Sequence, residues 1–338
     1  MTTEPGTPRQ IPRSIPPGPY TPGQSYFGQN QYIEYIAGNS PVILSAPHGG
    51  DLIPSEISDR TTGLCGGTAT TGKDLNTREL TLAIQQSFHA RFGKYPHVVI
   101  NRLHRKKLDA NRDILEAACG DPGAQTAWKE FHAFLDVAKG AVLKDTGKGW
   151  YMDMHGHGHS IQRLELGYRL SPSQLDLADA VLDGNRAYED TSSIKTMSEG
   201  DTRRSFSALL RGSTSLGTLY ANNGFPSIPS ASDPGPKGEP YFRGGYNSAR
   251  HSCGVEATGL GGTSGGKICG VQIEANYTGV RDTPANINKF ADVTTRVLDS
   301  YLSTHWGISL SGSAAQSATR MLTSNPLLPR RWSPQERF

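Results

Sequence analysis

Short apolar runs alternate along this chain with longer stretches whose apolar residues recur every three or four positions. Residues 41–46, 98–100, 151–154 and 271–274 are compact, largely apolar runs and read as buried strands. Residues 74–92 read as a helix, because Leu80, Ala83, Ile84, Ser87 and Phe88 share a face and Gly93 suits its end. Residues 124–143 repeat the pattern through Trp128, Phe131, Leu135, Ala138 and Val142. A shorter helix is predicted over 175–182, started by Ser171-Pro172. The last helix opens at Thr283-Pro284 and lines one side with Ile287, Phe290, Ala291, Thr294, Val297, Leu298 and Tyr301. Strands alternating with amphipathic helices imply an α/β fold, with a mainly parallel sheet covered on both faces. Ligands in such folds bind beyond the carboxyl ends of the strands. His48, Asn101-Arg102 and His155 each follow a strand-like run, so the chemistry converges on one edge of the sheet.

The 338 residues suffice for a domain with a sizeable core. Residues 1–24 are Pro-rich without an apolar period and read as an extended arm. Residues 25–308 read as a single catalytic domain with a long, loop-rich insertion over about 183–269. Residues 309–338 form a tail, either loosely packed or a docking peptide, with Arg330, Arg331 and Arg337 beside Trp332 and Phe338. Nothing approaches the run of roughly 18 apolar residues that a membrane-spanning helix needs, so no membrane partner is expected. A net charge of +3 gives no argument for nucleic acid or an anionic membrane surface. The N-terminus as given lacks the apolar segment of a secretory signal. Cys253 and Cys269 bracket a Gly-rich loop that a disulfide could staple; with Cys65 and Cys119, four inert thiols are the alternative.

The candidate chemistry begins at His48, where the run from Pro41 stops in Ala46-Pro-His-Gly-Gly-Asp51. Trp150-Tyr-Met-Asp-Met-His155-Gly-His-Gly-His159 repeats the arrangement. His48, Glu56 and His155 make a candidate ligand set for zinc, which in catalytic sites takes three protein ligands and leaves a position for water. Two imidazoles and one carboxylate keep the ion net positive and lower the pKa of its water. The plainer alternatives are a capping histidine and a solvated loop carboxylate. Asp153 lies on the same side of its strand as His155, and either steers that ring as an acceptor or competes as a ligand. His157 and His159 are spare donors near substrate, or simply exposed.

Arg102, Arg105 and Arg112 flank Asp109-Ala-Asn-Arg112. Guanidinium forks pair with carboxylates, so this stretch suits a small-molecule or peptide substrate bearing one, and one arginine could stabilise an oxyanion. A basic surface loop is the alternative. Glu274 ends an apolar strand, where desolvation raises a carboxyl pKa towards general base and acid work; a carboxylate holding a loop is the alternative. Gly262-Thr-Ser264-Gly-Gly266 matches the GxSxG pattern, but a nucleophile elbow needs a strand before it and a helix after it. Here a glycine-studded loop precedes and a strand follows, so Ser264 reads as a chance match. The rival functions are a metal-stabilised binding protein without catalysis and a serine hydrolase acting through Ser264.

Pro47-His-Gly-Gly with Glu56, Leu108-Asp-Ala-Asn-Arg-Asp113, Met152-Asp-Met-His155 and Gln272-Ile-Glu274 occur in that order. The order resembles the N-formylglutamate amidohydrolase family, a zinc-dependent group related in fold to metallocarboxypeptidases, over about residues 40–300. The resemblance implies a three-layer α/β/α sandwich with a mixed central sheet. It implies Zn2+ held by His48, Glu56 and His155, with Glu274 as general base. It also implies a carboxylate-binding pair in Asn111 and Arg112 and an oxyanion arginine in Arg105 or Arg102. Arg250, in the long glycine-rich insertion, is a further candidate for the substrate carboxylate, and this insertion departs from the family pattern as an enlarged substrate wall.

Overall fold

The computed structural model describes residues 14–254 and 266–311. Ser264 and almost all of the C-terminal tail lie outside the described residues. The strands are β1 (Ser25–Phe27), β2 (Ile33–Ile36), β3 (Val42–Ala46), β4 (His97–Asn101), β5 (Gly149–Gly156), β6 (Leu164–Gly167), β7 (Ser227–Ile228) and β8 (Ile268–Ala275). The helices are α1 (Thr77–Phe92), α2 (Ile114–Ala118), α3 (Pro122–Thr146), α4 (Pro172–Leu175), α5 (Asp179–Gly184), α6 (Arg186–Thr191), α7 (Lys195–Gly200), α8 (Phe206–Arg211), α9 (Leu216–Asn222), α10 (Tyr246–His251) and α11 (Pro284–His305).

Among the described residues the strands form one eight-stranded sheet in the order β1-β2-β4-β3-β5-β8-β6-β7. Its centre, β4-β3-β5-β8, is parallel, and the flanking β2 and β6 run antiparallel to it. Alternation divides each central strand between two cores. Leu44, Met152 and Val271 pack with Leu80, Ile84 and Phe88 of α1 and Phe290 and Leu298 of α11. Ile43, Val99 and Tyr151 pack on the other face with Phe131, Leu135 and Val142 of α3. The expected α/β/α sandwich with a mixed, mainly parallel sheet is the observed architecture.

Local chemistry explains the helix limits. Asp121 caps α3 by accepting the Ala124 N–H at 2.9 Å, and Pro122 supplies the first turn. Thr283 does the same for α11, from Asn286 N–H at 3.2 Å. Gly93 closes α1 with φ 65°, which a residue with a side chain adopts only at a cost. The buried side of α1 runs through Thr77, Thr81 and Gln85 as well as Leu80, Ile84 and Phe88, so it is rotated from the predicted one. The single helix expected over 175–182 is two, α4 and α5. The Arg211 guanidinium occupies the break, donating to the carbonyls of Leu175 at 2.5 Å and Leu177 at 2.6 Å.

The stretch expected to be loop-rich carries α6 to α10 and β7 among its described residues. Serines placed at Ser205 and Ser215 cap α8 and α9, and Met197, Leu209, Leu216 and Tyr220 extend the core on the α11 side. Cysteines 253 and 269 form a disulfide, as do Cys65 and Cys119. The described end of the N-terminal arm lies on the second core through Ile15 and through Tyr20, whose ring meets Tyr26 edge-on at 4.8 Å.

Leu44 is fully buried in the strand that leads to His48. Leu44→Ala is expected to lower unfolding stability by about 2–5 kcal/mol, through lost transfer energy and the cavity left behind, as read from denaturant titration.

Candidate metal and catalytic site

β3, β5 and β8 all end at the same edge, and register fixes which side chains meet there. Ser45 pairs with Asp153, Asp153 with Gln272 and His155 with Glu274. Asp153, His155, Gln272 and Glu274 therefore share one face at adjacent strand ends. His48 arrives from the turn after β3, and its carbonyl accepts the Asp74 N–H at 3.1 Å. Asp74 is pinned in turn at the start of α1, where its carbonyl accepts Thr77 Oγ1 at 2.9 Å.

Three inward atoms define the centre. His48 Nδ1 and His155 Nδ1 are 3.1 Å apart, and Asp74 Oδ2 is 3.3 Å from the first and 3.4 Å from the second. Both rings are backed by buried carboxylates: His48 Nε2 lies 2.6 Å from Asp109 Oδ1, and His155 Nε2 lies 2.7 Å from Asp153 Oδ2. A carboxylate accepts a hydrogen bond from each Nε2–H, so in the neutral rings both Nδ1 lone pairs point inward at each other and at an Asp74 oxygen. Such a triangle is repulsive unless a proton or a cation sits in it. Ligands at about 2.0–2.1 Å in a tetrahedron lie about 3.3–3.4 Å from one another, close to the 3.1, 3.3 and 3.4 Å present here. Among the described residues, His48, Asp74 and His155 form a buried group that could hold a metal ion.

The surrounding charges are paired. Arg105 Nε donates to Asp109 Oδ2 at 3.0 Å, and Arg105 Nη1 lies 3.4 Å from Asp74 Oδ1. Burial alone would push the Asp74 and Asp109 carboxyls up; the His48 imidazole beside both, with His155 on Asp74 and Arg105 on Asp109, holds them well below the ordinary range. Burial would depress His155, but the Asp153, Asp74 and Glu274 carboxyls outweigh it and raise that imidazole well above its usual value. Glu274 stands 4.0 Å from His155 Nδ1 and accepts from Gln272 Nε2 at 2.8 Å. Burial first, then the charges of Asp74 and Glu165, push its carboxyl up to about 7.

His48, Asp74, Arg105, His155, Gln272 and Glu274 line a cleft of about 550 Å3, with Asn111, Arg112 and the loop 241–245 along its wall. No protein-family model matches the chain, and no curated protein matches it in sequence. Among solved structures, the chain is similar to a gene product of Agrobacterium tumefaciens, with 14% identity, a TM-score of 0.44 and coverage of 81% of this chain and 95% of that one. It is also similar to an N-formylglutamate amidohydrolase from Ralstonia eutropha, with 12% identity, a TM-score of 0.45 and coverage of 80% and 96%.

His48, His155, Glu274, Arg105, Asn111 and Arg112 meet at the cleft; three other candidates do not. Glu56 is exposed, and its carboxylate takes the Tyr32 hydroxyl. The segment carrying it pairs Leu52 with Leu103 beyond β4, and β4 and β5 lie on opposite sides of β3. Glu56 is thus led away from His155, and Asp74 stands in the place expected for it. Arg102 follows the inward Asn101, so alternation turns it outward. It donates to the Gln31 carbonyl at 2.9 Å and lies over the Phe27 ring. Arg250 sits more than a helical turn beyond cleft-lining Gly245, with its guanidinium 5.4 Å from the Trp128 ring centre. Asn111 is committed to the scaffold, accepting the Asn247 N–H at 2.8 Å, and Arg112 shares its charge with Glu116 at 3.0 Å.

The sequence reading missed Asp74 as a candidate ligand because an acid at the mouth of a helix looks like part of the helix start. It also missed Arg243, which is exposed, lines the cleft and makes no ion pair among the described residues.

A metal ion such as zinc entering this triangle would compete with protons for the inward nitrogens. Affinity is therefore expected to fall as pH drops, with proton release visible as buffer-dependent heat in titration calorimetry. Removal of the backing carboxylate in Asp109→Asn should cost about 10–100-fold in affinity. His155→Ala should cost more, and Glu56→Ala should leave zinc binding unchanged.

Proposed function

We infer that this protein is a zinc-dependent hydrolase cleaving an amide bond in a small-molecule or peptide substrate that bears a carboxylate, an N-acyl amino acid being the simplest such compound. The observation that carries this reading is the inward triangle of His48, Asp74 and His155 with the buried Glu274 carboxyl beside it. Two imidazole nitrogens and one carboxylate oxygen suit zinc among the common divalent ions. Zinc bound there would supply a Lewis acid and a water activated near neutral pH.

The remaining tasks fall to the chain. Glu274 takes a proton from the attacking water, a role suited to a carboxyl that titrates near neutrality. Arg105 is fixed by Asp74 and Asp109 and sets positive charge beside the place where the carbonyl oxygen becomes negative. Arg112 and Arg243, which makes no ion pair among the described residues, line the cleft and are the groups for the substrate carboxylate. A metal-stabilised binding protein without catalysis would suit a closed, dry pocket around Glu274. The cleft leaves room for substrate and water instead.

Elemental analysis and turnover of a panel of N-acyl amino acids and short peptides test this reading. Chelation should abolish turnover and added zinc restore it; activity that survives complete metal removal would overturn the reading. Glu274→Gln should lower kcat by about 10²–10⁴-fold with zinc content unchanged. A base works unprotonated, so kcat/KM should fall as pH drops through the Glu274 titration, with the midpoint below 7 once the cation is bound.

A further inference from the structure

A second imidazole faces the same cleft from the loop between β5 and β6. The His159 side chain is 22% exposed and lines the cleft. Its Nδ1 lies 2.7 Å from Oε1 of Glu165, a fully buried residue of β6. The other Glu165 oxygen accepts the Phe242 N–H at 2.8 Å. The ring lies flat on Phe242, with centroids 4.7 Å apart and planes within 9°. A carboxylate only accepts, so the proton stays on Nδ1 and the ring is held edge and face. His159 Nε2 has no hydrogen-bond partner among the described residues and is not buried.

His157, its neighbour, is different. Its Nε2 lies 2.8 Å from the Arg163 carbonyl, and its Nδ1 accepts the His159 N–H at 3.1 Å. Both nitrogens are used. His157, His159 and Glu165 come close enough to suggest a second metal site, but His157 has no lone pair left for an ion.

Position gives His159 its meaning. Glu165 pairs directly with Glu274 across antiparallel strands, which brings opposite Cβ atoms to about 4.5–5.5 Å on one face of the sheet. Glu274 thus has His155 on one side and Glu165, carrying His159, on the other. A scissile amide laid over Glu274 with its carbonyl towards His48, Asp74 and His155 directs its nitrogen towards His159.

Resting on the amide-hydrolase reading above, we propose that His159 is the proton donor to the departing amine. It enters as imidazolium, with Nδ1–H kept on Glu165. As the C–N bond breaks, its electron pair stays on nitrogen and the Nε2 proton moves there. The neutral ring regains a proton from solvent, and Glu274 releases to solvent the one it took from water. One amide and one water give one acid and one amine.

The test compares an N-acyl amino acid that the wild type cleaves with the same acyl group esterified to 3-hydroxybenzoate, whose phenolate leaves without a proton. His159→Gln is expected to lower kcat on the amide by about 10²-fold, with KM, zinc content and ester turnover within a few-fold of wild type. Phe242→Leu, which removes the flat support, should give a smaller loss confined to the amide. Equal losses on amide and ester, or no loss on the amide, would overturn the assignment while leaving the hydrolase reading intact. A zinc-loaded wild type that cleaves neither kind of substrate would overturn both.

Discussion

The His48 and His155 imidazoles are each held from behind by a buried carboxylate, and the orientation of the whole centre follows from that. A neutral imidazole has one proton to give, and Asp109 and Asp153 claim it at Nε2. What remains is a lone pair on each ring, turned towards its counterpart and towards Asp74. Burying two such carboxylates costs several kcal/mol each unless their other oxygens are engaged. Here they are: the second Asp109 oxygen takes Arg105, and the second Asp153 oxygen takes the Ser45 hydroxyl. Ser45 itself sits on β3, three residues before His48, so one strand both leads to one ring and hydrogen-bonds the support of the other.

Much of this was legible in the sequence, and the division has physical causes. The central strands could be read because a sheet covered on both faces needs continuous apolar runs, and α3 and α11 because their apolar stripes are wide. Strands β1, β2, β6 and β7 were not read. They are two to four residues long and mix charged or polar residues with apolar ones, as Glu34 in β2 and Glu165 in β6 show. At the site, His48, His155 and Glu274 announce themselves by following apolar runs. Asp74 gives no such signal: its place depends on a loop of more than twenty residues that returns from His48 to the start of α1. Glu56 lies nearer in sequence, but Leu52 and Ile57 bind its segment to the β4 side and the second core.

The far wall of the cleft is built by glycines. A Cβ on Gly167 would lie 2.5 Å from the Gly244 nitrogen, and one on Gly245 would lie 2.6 Å from Asn111 Nδ2. The loop 241–245 therefore presses onto β6 and Asn111 at backbone distance. That close approach brings Phe242 under the His159 ring and Arg243 to the cleft, so the glycine-rich composition has a structural use.

The order of strands has a consequence for how this centre comes into being. β3 meets β5 across more than a hundred residues, and β5 meets β8 across a similar interval. Every such pairing closes a long loop and must meet its entropy before contacts repay it, which slows assembly. The groups at the cleft are spread from His48 to Glu274 and are neighbours only when those pairings exist. A nascent or truncated chain lacking β8 thus lacks Gln272 and Glu274, and the cleft is complete only with closure of the sheet.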